Sequence, residues 1–397
     1  MSQGVCDDRV MYGHSRALAL ARKRLAHSMR SRQSRFALGQ TAAWPDGLKI
    51  DLAQRGRGQF RLNFISQVQF APMDLFALNA THEFGAKVAA ALGVELAPHE
   101  EREFEDGEHK ARPLVSVRGH DVYLFQSLHS GPEASVNDKL CRLLFFISTL
   151  RENGAKRVTV VIPYLAYARK DRQTKPRDPV TTRYLAVLLE AAGADLVMTL
   201  EVHNIVAFQN AFRCQTIHLD PRRLFAKEAL GLIGDRPAVV ASPDPGGVKR
   251  AQLFRETLEA SLERPVGSAF LEKRRSAGVV SGDLLVGEVE GATVLVTDDL
   301  ISTGGTLARA AKAYREHGAE RVYAFAAHGL FVGDASDVIR QAELAMTFVT
   351  DTVPPFRLAP GMLDRHVRIV SAAHLFAEAI RRCDGGGPIT ELLEGPA

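Results

Sequence analysis

Apolar positions fall into short, nearly unbroken runs over most of this chain. Asp121-Val122-Tyr123-Leu124-Phe125, Val158-Thr159-Val160-Val161-Ile162 and Leu196-Val197-Met198-Thr199-Leu200 have the pattern of strands buried on both faces. Between them lie helix-forming stretches that stop at glycine: Thr81 to Leu92 before Gly93, Asp138 to Asn153 before Gly154, and Thr181 to Ala192 before Gly193. A second series opens at Ala238-Val239-Val240. It runs through a helix from Val248 to Leu262, an apolar run at Val294-Leu295-Val296, a helix ending towards Gly318, and a strand from Val322 to Ala326. A last helix is expected over Ser371 to Cys383, fraying at Gly385-Gly386-Gly387. Alternation of this kind predicts an α/β fold with parallel sheets covered by helices.

The two series echo one another. Gly154-Ala155-Lys156-Arg157-Val158 and Gly318-Ala319-Glu320-Arg321-Val322 each follow a helix and open a strand. Two related domains in tandem are therefore expected, with a boundary near Asp220-Pro221: one over 71–220, the other over 221–362, and 363–397 packing back on the first. Residues 1–70 read differently, as an irregular and mostly disordered extension that a start at Met73 would omit.

Charge follows that division. Residues 1–70 hold 12 Lys and Arg against four Asp and Glu, a net of +8, while the rest of the chain is net −4. The pI of 8.9 therefore belongs to the leader, and the body carries no general basic surface for nucleic acid. No apolar run reaches the roughly 18 residues of a membrane span. The four cysteines (Cys6, Cys141, Cys214, Cys383) show neither metal nor disulfide spacing, which suits a reducing, cytoplasmic setting.

The chemistry centres on Val294-Leu295-Val296-Thr297-Asp298-Asp299-Leu300-Ile301-Ser302-Thr303-Gly304-Gly305-Thr306. A glycine-rich turn from strand into helix points amides at one spot, and the helix N-terminus adds positive potential; together they make a phosphate cradle. Asp298 and Asp299 do not bind phosphate, but they suit adjacent sugar hydroxyls. The stretch thus reads as a pocket for a sugar phosphate. It resembles the ribose-phosphate loop shared by type I phosphoribosyltransferases and ribose-phosphate pyrophosphokinases.

Five further stretches resemble the pyrophosphokinase pattern, over roughly 74–385: Phe104-Glu105-Asp106-Gly107-Glu108, Tyr167-Ala168-Arg169-Lys170-Asp171-Arg172, Glu201-Val202-His203, Ser242-Pro243-Asp244-Pro245-Gly246-Gly247 and Glu272-Lys273-Arg274-Arg275. Read bottom-up, Phe104 can stack on a base while Asp106 and Glu108 accept hydrogen bonds. The charges after Tyr167 suit a polyphosphate wall. The basic triplet, beside the Gly- and Ser-containing stretch Ser276 to Gly282, suits a flexible segment that closes over a polyphosphate.

The resemblance implies two type I phosphoribosyltransferase-like domains that make PRPP and AMP from ribose 5-phosphate and ATP. It implies ATP contacts at Phe104, Asp106, Gly107, Glu108, Arg169 and Lys170, with the first four serving a neighbouring subunit of a homodimer or larger homo-oligomer. It implies ribose 5-phosphate contacts at Asp298, Asp299, Ser302, Thr303, Gly304, Gly305 and Thr306, Mg²⁺ near His203 and Asp244, and a catalytic pair in Lys273 and Arg275. Ser116-Val117-Arg118 matches a stretch that binds regulatory phosphate in some members. The chain departs from the pattern at Lys170 (usually glutamine), Glu201 (usually aspartate) and Ser302 (aspartate in the synthetases). Two alternatives stand beside this reading: an inactive, synthetase-like regulatory subunit, and a transferase that consumes PRPP.

Overall fold

A computed structural model describes the backbone of residues 42–43, 49–55, 59–65, 72–276, 279–394 and 397, and the side chains of those from 72 onward except 273–283. Residues 1–70 and 71–397 are separate compact units. In the first, β1 (Ala42–Ala43), β2 (Lys49–Arg55) and β3 (Gln59–Ile65) form an antiparallel sheet. This corrects the expectation of an irregular leader over those residues. The register pairs Ile50 with Phe64 and Leu52 with Leu62, so a period-two apolar pattern underlies the strands. The rest of the leader lies outside the described residues.

The larger unit begins with β4 (Met73–Ala77) and the helix His82–Leu92, which ends on Gly93 at φ 76°. Next come a hairpin of β5 (His99–Glu103) and β6 (His109–Pro113), then β7 (Asp121–Phe125), the helix Val136–Glu152, and β8 (Arg157–Ile162). The helix Thr181–Ala192, β9 (Leu196–Leu200), the short helix Ile205–Ala211 and β10 (Gln215–Leu219) complete the first lobe. Its parallel sheet has the order β10-β9-β8-β7-β4.

After the helix Arg222–Ile233, β11 (Ala238–Ser242) and the helix Val248–Leu262 open the second lobe. β12 (Gly267–Ser276) and β13 (Val279–Val286) follow, then β14 (Thr293–Ile301), the helix Gly305–Glu316 and β15 (Arg321–Gly329). The helix Ala335–Gln341, β16 (Met346–Thr350) and β17 (Val367–Val370) complete its sheet, ordered β13-β12-β11-β14-β15-β16-β17. Only the β12–β13 pair is antiparallel. The run β11-β14-β15-β16-β17 repeats β4-β7-β8-β9-β10, position for position.

Each sheet is the middle of three layers. In the first lobe Val122 and Leu124 face a cluster with Leu143, Phe146 and Leu185, while Tyr123 and Phe125 face Phe84, Val88 and Phe376. Alternate residues of one strand are thus buried on opposite sides, which is why the run is continuously apolar. In the second lobe Val294 and Val296 face Leu307 and Tyr314, and Leu295 faces Phe225 and Phe254. The C-terminal helix Ala373–Gly385 returns to the first lobe, where Phe376 meets Phe84 edge to face at 5.3 Å.

Candidate active site

β14 carries its two acids near its carboxyl end. The strand continues to Ile301. The turn Ser302–Gly304 then leads into the helix Gly305–Glu316. Gly304 adopts φ 81°, and a Cβ there would stand 3.3 Å from Ile339 Cγ1 and 3.4 Å from Val338 Cγ1. The turn therefore needs glycine on both conformational and steric grounds. The amides of Gly305, Thr306 and Leu307 are the donors that a helix N-terminus leaves without intrahelical acceptors, and Gly305 and Thr306 are exposed.

The second lobe meets the first over these acids. Asp299 Oδ2 lies 2.8 Å from Nδ1 of His203, which follows β9. Arg250, in the first turn of the helix Val248–Leu262, donates to Glu201 Oε1 at 3.1 Å and lies 3.8 Å from Asp298 Oδ1. His328 of β15 donates through Nε2 to the carbonyls of Leu200 (3.0 Å) and Glu201 (3.2 Å), while its Nδ1 pairs with the Thr352 hydroxyl at 2.8 Å. Glu201 sits at φ 37° in the left-handed region, a conformation that costs a β-carbon residue on the order of 1–3 kcal/mol. Strain, two histidines and three carboxylates thus meet at one boundary.

Their titration is displaced accordingly. Burial, followed by the hydrogen-bonded Asp299 carboxylate, pushes Asp298 up to about 8. Burial would also raise Asp299, but the hydrogen bond from His203 and the charge of Arg250 hold it well below the usual carboxylate range. The two neighbouring acids are thus pushed apart in titration, Asp298 upward and Asp299 downward. The bond to Asp299 raises His203 above its ordinary value. Burial pushes Glu201 up to about 7 against the opposing charge of Arg250, and it lowers His328 to about 4. A cleft beside this network is lined by Tyr164, Arg169, His203, Asp299 and His328.

Residues 73–193 match the family described as the N-terminal domain of ribose phosphate pyrophosphokinase. Residues 215–329 match the phosphoribosyl transferase domain, and 281–393 the phosphoribosyl synthetase-associated domain. The chain is 36% identical to ribose-phosphate pyrophosphokinase 1 of Streptococcus pneumoniae, covering 82% of this chain and 98% of that protein. The chain belongs to the ribose-phosphate pyrophosphokinase family. The pyrophosphokinase of Caldanaerobacter subterraneus is 37% identical over 81% of this chain and 98% of its own length. The crystal structure of phosphoribosylpyrophosphate synthetase from Mycobacterium smegmatis superposes with a TM-score of 0.72 at 33% identity, covering 80% of this chain and all of that one.

For a pyrophosphokinase of this family, the remaining sequence-predicted residues fall in several places. Phe104, Asp106, Gly107 and Glu108 form the tip of the β5–β6 hairpin, where the Phe104 amide donates to Glu108 O at 2.7 Å. Phe104 is half-buried, not exposed, because Arg102 lies over its ring at 5.1 Å. Arg169 reaches the cleft with His203 and Asp299. Lys170 instead turns to Asp178 and, at 2.8 Å, to the Thr174 hydroxyl. Asp244 caps the turn Pro245–Gly247 by accepting from the Gly246 amide at 2.8 Å.

The basic triplet differs most from expectation. Its backbone is the end of β12, paired antiparallel with β13, so the stretch read as a flexible loop is largely hairpin. The register aligns Lys273 with Asp283 and Arg275 with Val280, and it shifts between them. The side chains of Lys273 and Arg275 lie outside the described residues.

Arg250 and His328 were not singled out from sequence. Arg250 had a signal: a cation in the first turn of a helix opposes the helix dipole, so it needs carboxylates to hold it there. His328 is a lone histidine at the end of an apolar strand, a position that more often marks a satisfied core residue than a working one.

Proposed function

We propose that this chain is a ribose-phosphate diphosphokinase, transferring the diphosphoryl group of ATP to the C1 hydroxyl of ribose 5-phosphate to give PRPP and AMP. The observation that carries the reading is the first lobe's His203 bonded at 2.8 Å to Asp299 of the second, beside the glycine turn. That contact supports a reading in which sugar phosphate and nucleotide bind on opposite sides of one cleft. In this reading the turn from Ser302 to Thr306 holds the 5-phosphate with its amides and hydroxyls, and Asp298 and Asp299 take the ribose hydroxyls. Arg169 faces the polyphosphate, with Lys170 beside it in the chain once released from Asp178, and Phe104, Asp106, Gly107 and Glu108 supply the base and ribose contacts. Lys273 and Arg275 stabilise charge on the transferred group and on departing AMP, while the sugar oxygen attacks the β-phosphorus in line.

Among the described residues, no three His, Cys, Asp or Glu side chains are grouped to hold a metal. A sparse pair of one imidazole and one carboxylate suits Mg²⁺, which takes few protein ligands and fills its remaining positions with water and substrate phosphates. His203 and Asp244 would hold it. Asp244 spends Oδ1 on the Gly246 and Gly247 amides, which orients the carboxylate and leaves Oδ2 available. The ion's contribution is to neutralise polyphosphate charge. We place the reaction in the cytoplasm and assign the chain a homodimer or larger homo-oligomer as its working unit; among the described residues no helix is long and apolar enough to cross a membrane.

The experiment is an assay of PRPP and AMP formation from ribose 5-phosphate, ATP and Mg²⁺. Equimolar formation of the two products supports the reading. PRPP consumption without AMP release, or no turnover by a folded chain, overturns it.

A further inference from the structure

The duplicated architecture places a counterpart to the ribose-phosphate turn in the first lobe. β7 holds the same position in its sheet as β14 does in the other. Each is followed by a loop and a helix: 126–135 before Val136–Glu152, and 302–304 before Gly305–Glu316. Each helix then leads into the echoed Gly-Ala-x-Arg-Val segment at 154–158 or 318–322. At the first-lobe position there is a cavity of about 450 Å³.

Lys139, in the first turn of the helix Val136–Glu152, lines this cavity and is 2% exposed. Among the described residues its Nζ meets only the His129 ring, 3.3 Å from Nε2 and 3.5 Å from Nδ1. Among the described residues no carboxylate pairs with it. Burial, with the charge of Lys139 behind it, lowers His129 to about 4, so the imidazole is neutral and offers one lone pair to three ammonium hydrogens. Burial lowers Lys139 itself to about 8, with Arg357 adding to the effect. The Arg357 guanidinium is fixed by the carbonyls of Ser130 (2.7 Å) and Leu330 (2.9 Å), again with no carboxylate pairing it among the described residues. A buried, uncompensated ammonium is costly, and an anion in the cavity removes that cost.

The acids in the cavity wall are already engaged in part. Arg142 lies 3.3 Å from Glu103 and 4.0 Å from Glu101, and Glu101 also holds His99 at 3.0 Å. Glu133 joins them on the loop. The helix end is closed by a capping box between Ser135 and Asp138, so here a side chain, and not a row of amides, faces the space. We propose that this cavity is a second anion site of the chain, binding inorganic phosphate or a small phosphate monoester against Lys139 and His129. The apolar wall at Pro132 and Phe356 leaves room for more than the free ion.

The test is titration of the full chain with inorganic phosphate, in phosphate-free buffer saturated with ribose 5-phosphate, read by calorimetry and ³¹P line width. The wild-type chain should bind one phosphate that Lys139→Met binds at least tenfold more weakly, with PRPP synthesis in the absence of phosphate unchanged within twofold. If ribose 5-phosphate does not fill the second-lobe turn, the wild type binds one phosphate more and the difference between the chains persists, so the two readings fail separately. Ala134→Glu, on the half-buried wall of the cavity, places a competing carboxylate and should give the same loss should Lys139→Met not fold. Competition by AMP assigns the site to monoesters, and its absence assigns it to free phosphate; both support the site. Equal binding by the wild type and the folded variants, or no phosphate bound by the wild type, overturns it.

Discussion

Arg250 is shared across the lobe boundary: it donates to Glu201 at 3.1 Å on one side and stands 3.8 Å from Asp298 on the other. Burial works against its charge, but Glu201, Asp299 and Asp298 together hold it above its ordinary value. Arg250→Met leaves two buried acids without their counter-charge. Such a break costs about 3–5 kcal/mol in comparable buried pairs. The expected result is a lower melting temperature, partly restored in Arg250→Met/Glu201→Gln, with a coupling energy above about 0.5 kcal/mol. Strict additivity in the double-mutant cycle would remove the ion pair from the account of interlobe stability.

Asp298→Asn keeps the shape of the side chain but replaces a carboxyl of β14 by an amide. Ribose 5-phosphate should bind more weakly, by about 5- to 100-fold if one buried hydrogen bond of roughly 1–3 kcal/mol is lost. The KM for ATP should move far less. An effect confined to ATP would assign these acids to the nucleotide.

Lys273→Ala and Arg275→Ala should lower kcat by about 10²-fold or more while leaving ribose 5-phosphate affinity nearly unchanged, because groups of this kind act on charge that develops in the transition state. Near wild-type kcat in both variants would end the catalytic assignment.

His328 predicts an acid limb in the stability curve. Its folded value is lowered to about 4 from 6.5 by burial. As pH falls from about 6.5 to about 4, the unfolded chain takes up a proton that the folded one refuses. Stability therefore drops across that window, by at most about 1.4 kcal/mol per pH unit for one group. His218 and His129 are lowered by burial in the same direction. His328→Gln should flatten the limb by one proton, measured as chemical denaturation between pH 4 and 7. An unchanged slope would mean that His328 is protonated in the fold.

The hairpin tip at Phe104–Glu108 predicts a shared site. Chains carrying Asp106→Ala/Glu108→Ala and chains carrying Lys273→Ala should each be inactive. Mixed under subunit exchange, they should regain activity, because one composite site of a heterodimer collects all the lesions and the other is intact. No recovery in mixtures shown by native mass spectrometry to contain heterodimers would mean that each chain binds ATP alone.

The sequence displayed most of the frame because its helices stop on residues with clear physical meaning. Thr181–Ala192 and Val248–Leu262 match the expected bounds, the first because Gly193 takes the left-handed cap. The glycine turn after β14 was legible for the same reason: Gly304 has a positive φ, and a Cβ there would crowd Ile339 and Val338. What Asp298 and Asp299 touch was not legible, since Arg250 and His203 reach them across 48 and 96 residues of chain. The β12–β13 hairpin hid behind its Gly and Ser content, which reads as loop. The strands of the leader hid because alternation at Phe60, Leu62 and Phe64 is short and sits among arginines.

The return of the C-terminal helix to the first lobe has a mechanical consequence. The chain passes from first lobe to second near residue 220 and back again after β17, where Phe376 seats against Phe84. Two covalent connections, not one, therefore span the boundary. A single connection permits swivelling about any axis through it, whereas two separated ones leave rotation about the line that joins them. Any rotation of one lobe against the other is thereby limited to that axis, as for a door hung on two hinges.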